Sequence, residues 1–236
     1  MVMEQITTLT FFKYSRWYSK LWAFGMMPVG YVALSGVRGQ SFYKLMGSGR
    51  GIGFHPLPDW SVYALLQVWD TEADAQRFFD QHSFIRNCQK QAGIVTTIYL
   101  KNIFSKGRWS GKEPFKSSPD QPVESGQSPV AVLTRASIRP SRLWKFWRYV
   151  PVAQSRLKGY PGLMFQKGIG EMPLLQMATF SIWSDAERIR QFAYRDAEHR
   201  EAVTLTRQLD WYSEELFARF HPYRADWEAL EQVNAR

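Results

Sequence analysis

"LLQVWDTEADAQRFF" (65–79) and "MATFSIWSDAERIRQFA" (177–193) are two versions of one phrase. Each is an apolar run rich in β-formers that ends on a tryptophan, then a short polar turn, then a helical pattern. Their neighbours recur as well. "SKLWAF" (19–24) returns as "SRLWKF" (141–146), and "FYKLMGSG" (42–49) has a counterpart in "LMFQKGIG" (163–170). Landmarks kept in one order imply a tandem duplication. Each copy reads β-α-β-β-α-β, the ferredoxin-like arrangement, in which helices cover one sheet face and leave the other bare. Two bare apolar faces in one chain can pack together. The fold class expected is therefore α+β, a tandem duplication of two ferredoxin-like halves closing into a two-sheet barrel around an internal cavity. The halves span 1–108 and 129–236. Between them, 109–128 is rich in Ser, Pro, Gly and charge and reads as a linker.

The glycines of "FYKLMGSGRGIGFHPLPDW" (42–60) suggest a phosphate loop, but the spacing does not fit one. The dinucleotide and P-loop patterns are both missing, and the segment leads into the apolar run "SVYALLQVW" rather than a helix. A long hairpin loop whose glycines permit positive φ is the simpler reading.

The formal charge of +9 is compatible with nucleic acid, an anionic membrane or an acidic ligand. The basic residues are dispersed, with no dense tract and no recognisable nucleic-acid module, so nucleic acid is not an expected partner. Cys88 is the sole cysteine, which excludes an intrachain disulfide and fits a reducing cytoplasm. The N-terminus lacks the pattern of a signal peptide. Residues 21–37, "LWAFGMMPVGYVALSGV", carry no charge and approach the short limit of a membrane span. The repeat argues against spanning, because the matching stretch contains Lys145, Arg148 and Arg156. A buried helix lining an apolar pocket is the reading preferred to an interfacial one.

Metal-cluster, zinc-protease and nucleophile-elbow motifs are missing from the sequence. Among the histidines, His55, His82 and His221 sit in turn or helix-end contexts. His199 differs: Ala202, Val203 and Thr206 share its helical face, leaving room beside the imidazole. Its repeat counterpart is Ile85. A hydrogen-bonded core histidine and a ligand both satisfy that pattern. Cys88 reads as a small buried hydrophobe.

"SKLWAFGMM", "FYKLMGSGRGIGF", "VWD" and the terminal "HREAV" and "WYSEELFARF" resemble the spheroidene monooxygenase family of carotenoid-modifying proteins. The resemblance spans nearly the whole chain apart from the linker. It implies a dimeric α+β barrel built within one polypeptide, and a haem-dependent oxygenase with b-type haem. Such an enzyme uses O2 and an electron donor to oxidise C-2 of an acyclic carotenoid to hydroxy and then keto products. Haem enzymes of this barrel type bind iron through a histidine on a helix of the C-terminal half. His199 is thereby implied as the iron ligand, with haem between its helix and the sheet. Lys44 and Arg50 are the candidates for the haem propionates. Trp22, Phe24, Met26, Met27 and Phe42 are the candidates for lining an apolar substrate tunnel, with the glycine loop as its gate. A haem-binding barrel without oxygenase activity and a cofactor-free barrel oxygenase are the alternatives. The expected location is the cytoplasm, with the basic surface allowing contact with the inner face of the membrane.

Overall fold

Alternation along the strands builds the architecture. In β1 (Ile6–Lys13), Leu9 and Phe11 enter one buried cluster while Ile6 and Phe12 enter another. Period-two alternation puts these sets on opposite faces, so the strand has core on both sides. The same holds in β3 (Pro58–Trp69), where Val62, Ala64, Leu66 and Val68 face inward and Tyr63, Leu65 and Trp69 outward. The computed structural model describes residues 4–51, 53, 55–116, 128–148, 159–195 and 211–235, without the side chains of 193–195.

The remaining strands are β2 (Gln40–Gly49), β4 (Ile94–Gly107), β5 (Val130–Ile138), β6 (Leu163–Met172), β7 (Gln176–Trp183) and β8 (Tyr212–Arg224). They close one antiparallel barrel in the order β1-β3-β2-β6-β7-β5-β8-β4. Each half therefore uses the same order, β4-β1-β3-β2 in the first and β8-β5-β7-β6 in the second. The halves join at two seams. The β4–β8 seam is long, and the β2–β6 seam is held by Gly47 opposite Gly170 and Ser48 opposite Ile169. Closure removes every exposed sheet edge.

Helices α1 (Trp17–Ala33), α2 (Glu72–Gln81) and α3 (Ser83–Gln91) cover the first half. Thr71 caps α2 by accepting from the Asp74 N–H, and His82 caps α3 through Nδ1. The second half carries a helical turn at 143–148 and α4 (Ala186–Arg195). A final helix, α5 (Trp227–Asn234), capped by Asp226, inserts Leu230 and Val233 into the barrel core. Among the described residues no helix is long and apolar enough to cross a membrane.

Three expectations need correction. The barrel interior is filled rather than hollow, mostly by apolar side chains. Phe11 meets Phe165 edge-on at 5.5 Å, Phe180 fills the other side, and the interior positions of β3 are essentially sealed. Close packing leaves such a core without room for a long ligand. The linker begins later than expected. Trp109 and Phe115 are buried in the barrel core, Phe115 standing edge-on to Phe220 at 5.0 Å, because their large apolar surfaces close one barrel end. Finally, α1 is buried on one face only.

Candidate functional site

Two places could carry chemistry, the charged groups inside the barrel and the outer face of the second-half sheet. Inside, Lys44 on β2 and Lys167 on β6 occupy matching positions, opposite Leu66 and Phe180 respectively. Each ammonium pairs with a carboxylate of the other half. Lys44 donates to Glu171 and, at 2.7 Å, to the Ser110 hydroxyl. Lys167 meets Asp59 at 3.2 Å and donates to the Gly51 carbonyl at 3.3 Å. Glu171 also accepts from the Trp109 indole at 2.6 Å and lies 3.7 Å from Arg135. Arg135 in turn pairs with Glu214, which accepts from the backbone N–H groups of Ser110 and Gly111 at 2.9 and 2.7 Å.

Burial works against Asp59, but the Ser61 hydroxyl and the Lys167 ammonium outweigh it and hold the carboxyl below its ordinary range. Burial likewise opposes ionisation of Glu214, which is nonetheless held low by the two backbone donors and Arg135. Lys167 is pushed down by its own burial, only partly offset by Asp59. These groups are mutually satisfied charges that fix the barrel ends. An ammonium committed in this way is not an open anion site. Lys44 therefore does not fit the propionate role, because its partners are inside the barrel. Arg50 lies in the exposed β2–β3 turn, donating its backbone N–H to Leu57 at 3.1 Å.

The tunnel candidates do not converge. Trp22, Met26 and Met27 pack beneath α1, where Met26 and Met27 line a void of about 10 Å³ with Tyr14, Leu45 and Cys88. That is about the room of one water. Phe24 points outward, edge-on to Trp60 at 5.0 Å. Phe42 lies inside the barrel against Trp109. The glycine loop is a hairpin connection with Gly51 at φ 75°. His55 serves that turn by accepting from the Leu57 N–H at 3.0 Å. Burial pushes the Cys88 thiol up to about 11, as suits a core residue. Among the described residues no cluster of His, Cys, Asp and Glu could hold a metal. His199 lies outside the described residues.

The outer face of the second-half sheet is different. Across its centre run Phe217, Thr134, Thr179 and Gly168, and beside them Glu215, Ala136, Met177 and Gly170. Thr134, Thr179, Gly168, Ala136 and Gly170 are small, while Phe217, Glu215 and Met177 are not. On one side this floor is bordered by Phe146, Trp147, Trp211 and Tyr212, on the other by Tyr160, Trp183 and Phe192. Phe146 stands edge-on to Trp211 at 5.8 Å, and Tyr160 to Phe192 at 5.1 Å. The short run Thr134, Thr179 and Gly168, flanked by Phe217 and lying between two aromatic walls, can seat the edge of a planar apolar group. The sequence pattern around His199 pointed to this half, but not to the floor, which needs strand register to be seen.

This is an eight-stranded α+β barrel of two ferredoxin-like halves. Solved structures of aldoxime dehydratase share the fold. One matches with a TM-score of 0.60 at 11% identity over 96% of this chain and 83% of that one. Another, in complex with butyraldoxime, matches with a TM-score of 0.63 at 7% identity over 93% and 80%. No family profile matches the chain. Curated relatives do. Spheroidene monooxygenase of Rhodobacter capsulatus is 37% identical over 91% of this chain and 89% of its own length. The Cereibacter sphaeroides protein of the same name is 35% identical over 92% and 66%, and that of Rubrivivax gelatinosus 32% over 86% and 77%. The chain belongs to the spheroidene monooxygenase family.

Proposed function

We propose that the protein is a haem-dependent monooxygenase that uses O2 to oxidise an apolar, carotenoid-like polyene. The position attacked is C-2, giving the hydroxyl and then the keto product. The substrate class follows from the relatives named spheroidene monooxygenase. The observation that supports the cofactor reading is the run of Thr134, Thr179 and Gly168, flanked by Phe217, between its aromatic walls. The matching row of the first half carries Leu65 and Leu45. Thr179 and Gly168 thus leave room that Leu65 and Leu45 fill in the first half, and this room is the proposed seat of the porphyrin.

His199 is the ligand proposed for iron, on a histidine face bordered by Ala202, Val203 and Thr206. The haem would supply oxygen activation. The chain's own part is to seat it, exclude water with Phe146, Trp211, Trp183 and Phe192, and hold one substrate carbon at the reaction centre. Each turn inserts one oxygen atom into a C–H bond and releases the other as water. Two electrons and two protons come from an external reductant.

The test is an optical spectrum of haem-supplemented wild-type and His199→Ala protein, followed by product analysis with spheroidene, O2 and a reductant. The expected result is a histidine-type Soret band in the wild type, lost or shifted in His199→Ala, with one labelled oxygen atom from O2 in the product. An unchanged band in the variant overturns the ligand assignment. A bound haem without turnover leaves a haem-binding barrel, and protein that takes up no haem leaves a cofactor-free oxygenase.

A further inference from the structure

Helix α1 is apolar all round, yet only part of it is buried. At 100° per residue, Ser19, Ala23, Met26 and Gly30 fall on one side and meet the sheet or α3. Trp17, Leu21, Phe24 and Val32 fall on the other and face outward, with Val29 on the flank; Trp17 is 73% and Val32 79% exposed. The β2–β3 hairpin extends this surface with Leu57 and Trp60, and Trp60 is joined to Phe24. A contiguous apolar patch of this kind marks an interaction surface.

Charge identifies the occupant. No acidic residue occurs between Glu4 and Asp59, while that stretch carries Lys13, Arg16, Lys20, Arg38, Lys44 and Arg50. Arg16 and Arg50 are exposed beside the patch, one at the start of α1 and the other in the hairpin, and Lys20 lies at its edge. A protein partner would be expected to meet an apolar centre with a rim of both signs, whereas among the described residues the exposed charges named beside this patch are cationic, and Asp59 next to Trp60 is committed to Lys167. Trp17, Tyr18 and Trp60 are the residue types that settle at the headgroup level of a bilayer. A helix of 17 residues is about 25 Å long, shorter than a hydrocarbon core, and so lies in the interface rather than crossing it.

We infer that the outward face of α1, with Leu57 and Trp60, docks the protein on an anionic lipid bilayer. Apolar side chains enter the headgroup boundary and Arg16, Lys20 and Arg50 meet lipid phosphates. This docking stands on surface chemistry alone and does not require the substrate to be a carotenoid.

The experiment is sedimentation of the full-length protein with phosphatidylcholine vesicles, with and without phosphatidylglycerol, at low and high salt. Wild type is expected to sediment with the anionic vesicles, more weakly at high salt, and with a blue shift in tryptophan emission. Leu21→Asp/Val32→Asp should fold normally, since both positions face solvent, and should lose binding about 100-fold or more. Arg16→Glu/Lys20→Glu should abolish the preference for anionic vesicles. Wild type that stays in the supernatant at low salt overturns the inference. So does equal binding by the Leu21→Asp/Val32→Asp variant. A concentration-dependent dimer that this variant dissociates, without vesicle binding, would assign the face to a second copy of the chain instead.

Discussion

The two outer sheet faces share a register and differ in what fills it. Trp69 opposite Ile6 and Trp183 opposite Val130 mark matching positions. Four residues inward, the first half runs Thr97, Thr10, Leu65, Leu45 and the second runs Phe217, Thr134, Thr179, Gly168. Leu65 is fully buried and Thr10 equally so, beneath α1 to α3, whereas Thr134 is exposed. One face is core. The other keeps small side chains where its counterpart keeps leucines. The second face is also packed at its two sides, by the Phe146–Trp211 and Trp183–Phe192 clusters, so the difference between the halves is confined to this central row.

The largest expected effect comes from breaking the packed face. Leu65→Ala removes a sealed side chain and should cost about 2–5 kcal/mol. Thr179→Ala, at the matching position, should cost about 1 kcal/mol or less. Urea unfolding of the two variants measures both. The complementary change, Thr179→Leu, copies the first half into the second. It should leave the unfolding midpoint close to wild type while reducing haem uptake on supplementation. Equal costs for the two alanine variants would remove the asymmetry.

How much of this was legible in the sequence depends on distance along the chain. The repeat phrase around Trp69 and Trp183 points to the same succession of elements in both halves, because the pattern that folds each strand lies within it. The uncharged run of α1 was visible, but its division into a buried and a bare face was not. That division follows from which residues meet Leu45 and Phe84 across the fold. Trp109 reads as part of a polar linker because its neighbours are Ser, Gly and Lys, and only the fold, which buries it against Phe42 and Glu171, shows it to be core. A lysine in a strand reads alike inside or outside a barrel, so Lys44 resembled an anion anchor until Glu171 was found beside it.

The matching lysines offer a second, smaller test. In Asp59→Asn the Lys167 ammonium keeps its burial and loses its carboxylate. The side chains are 3% and 23% exposed for Lys167 and Asp59, so solvent softens the loss. The cost should be about 2 kcal/mol, below the roughly 3–5 kcal/mol of a fully sealed pair. The sign with pH is fixed by direction. Asp59 is held below its ordinary range in the folded protein, so its contribution is present above that range. It is lost as pH falls through the folded value. Stability of the wild type should therefore decline on acidification, and Asp59→Asn should flatten the part of that decline due to this group. Lys167, already low, should fall further in the variant because Asp59 is what raises it.

The smallest effects separate the two sides of α1. A β-carbon on Gly30 would lie 2.5 Å from Leu45 Cδ2 and 2.9 Å from the Phe84 ring. Leu45 can turn away, but the ring is wedged in the core, so the packing penalty should exceed the helix-propensity gain of Gly→Ala, leaving a net loss of about 1 kcal/mol. Gly25 has nothing within 4 Å of the same atom and sits on the bare face. Gly25→Ala should gain up to about 1 kcal/mol, since it adds helix propensity without a clash. Opposite signs from one substitution at two turns of one helix would place the boundary between its packed and bare faces. Matching signs would mean that the helix is covered, or bare, all round.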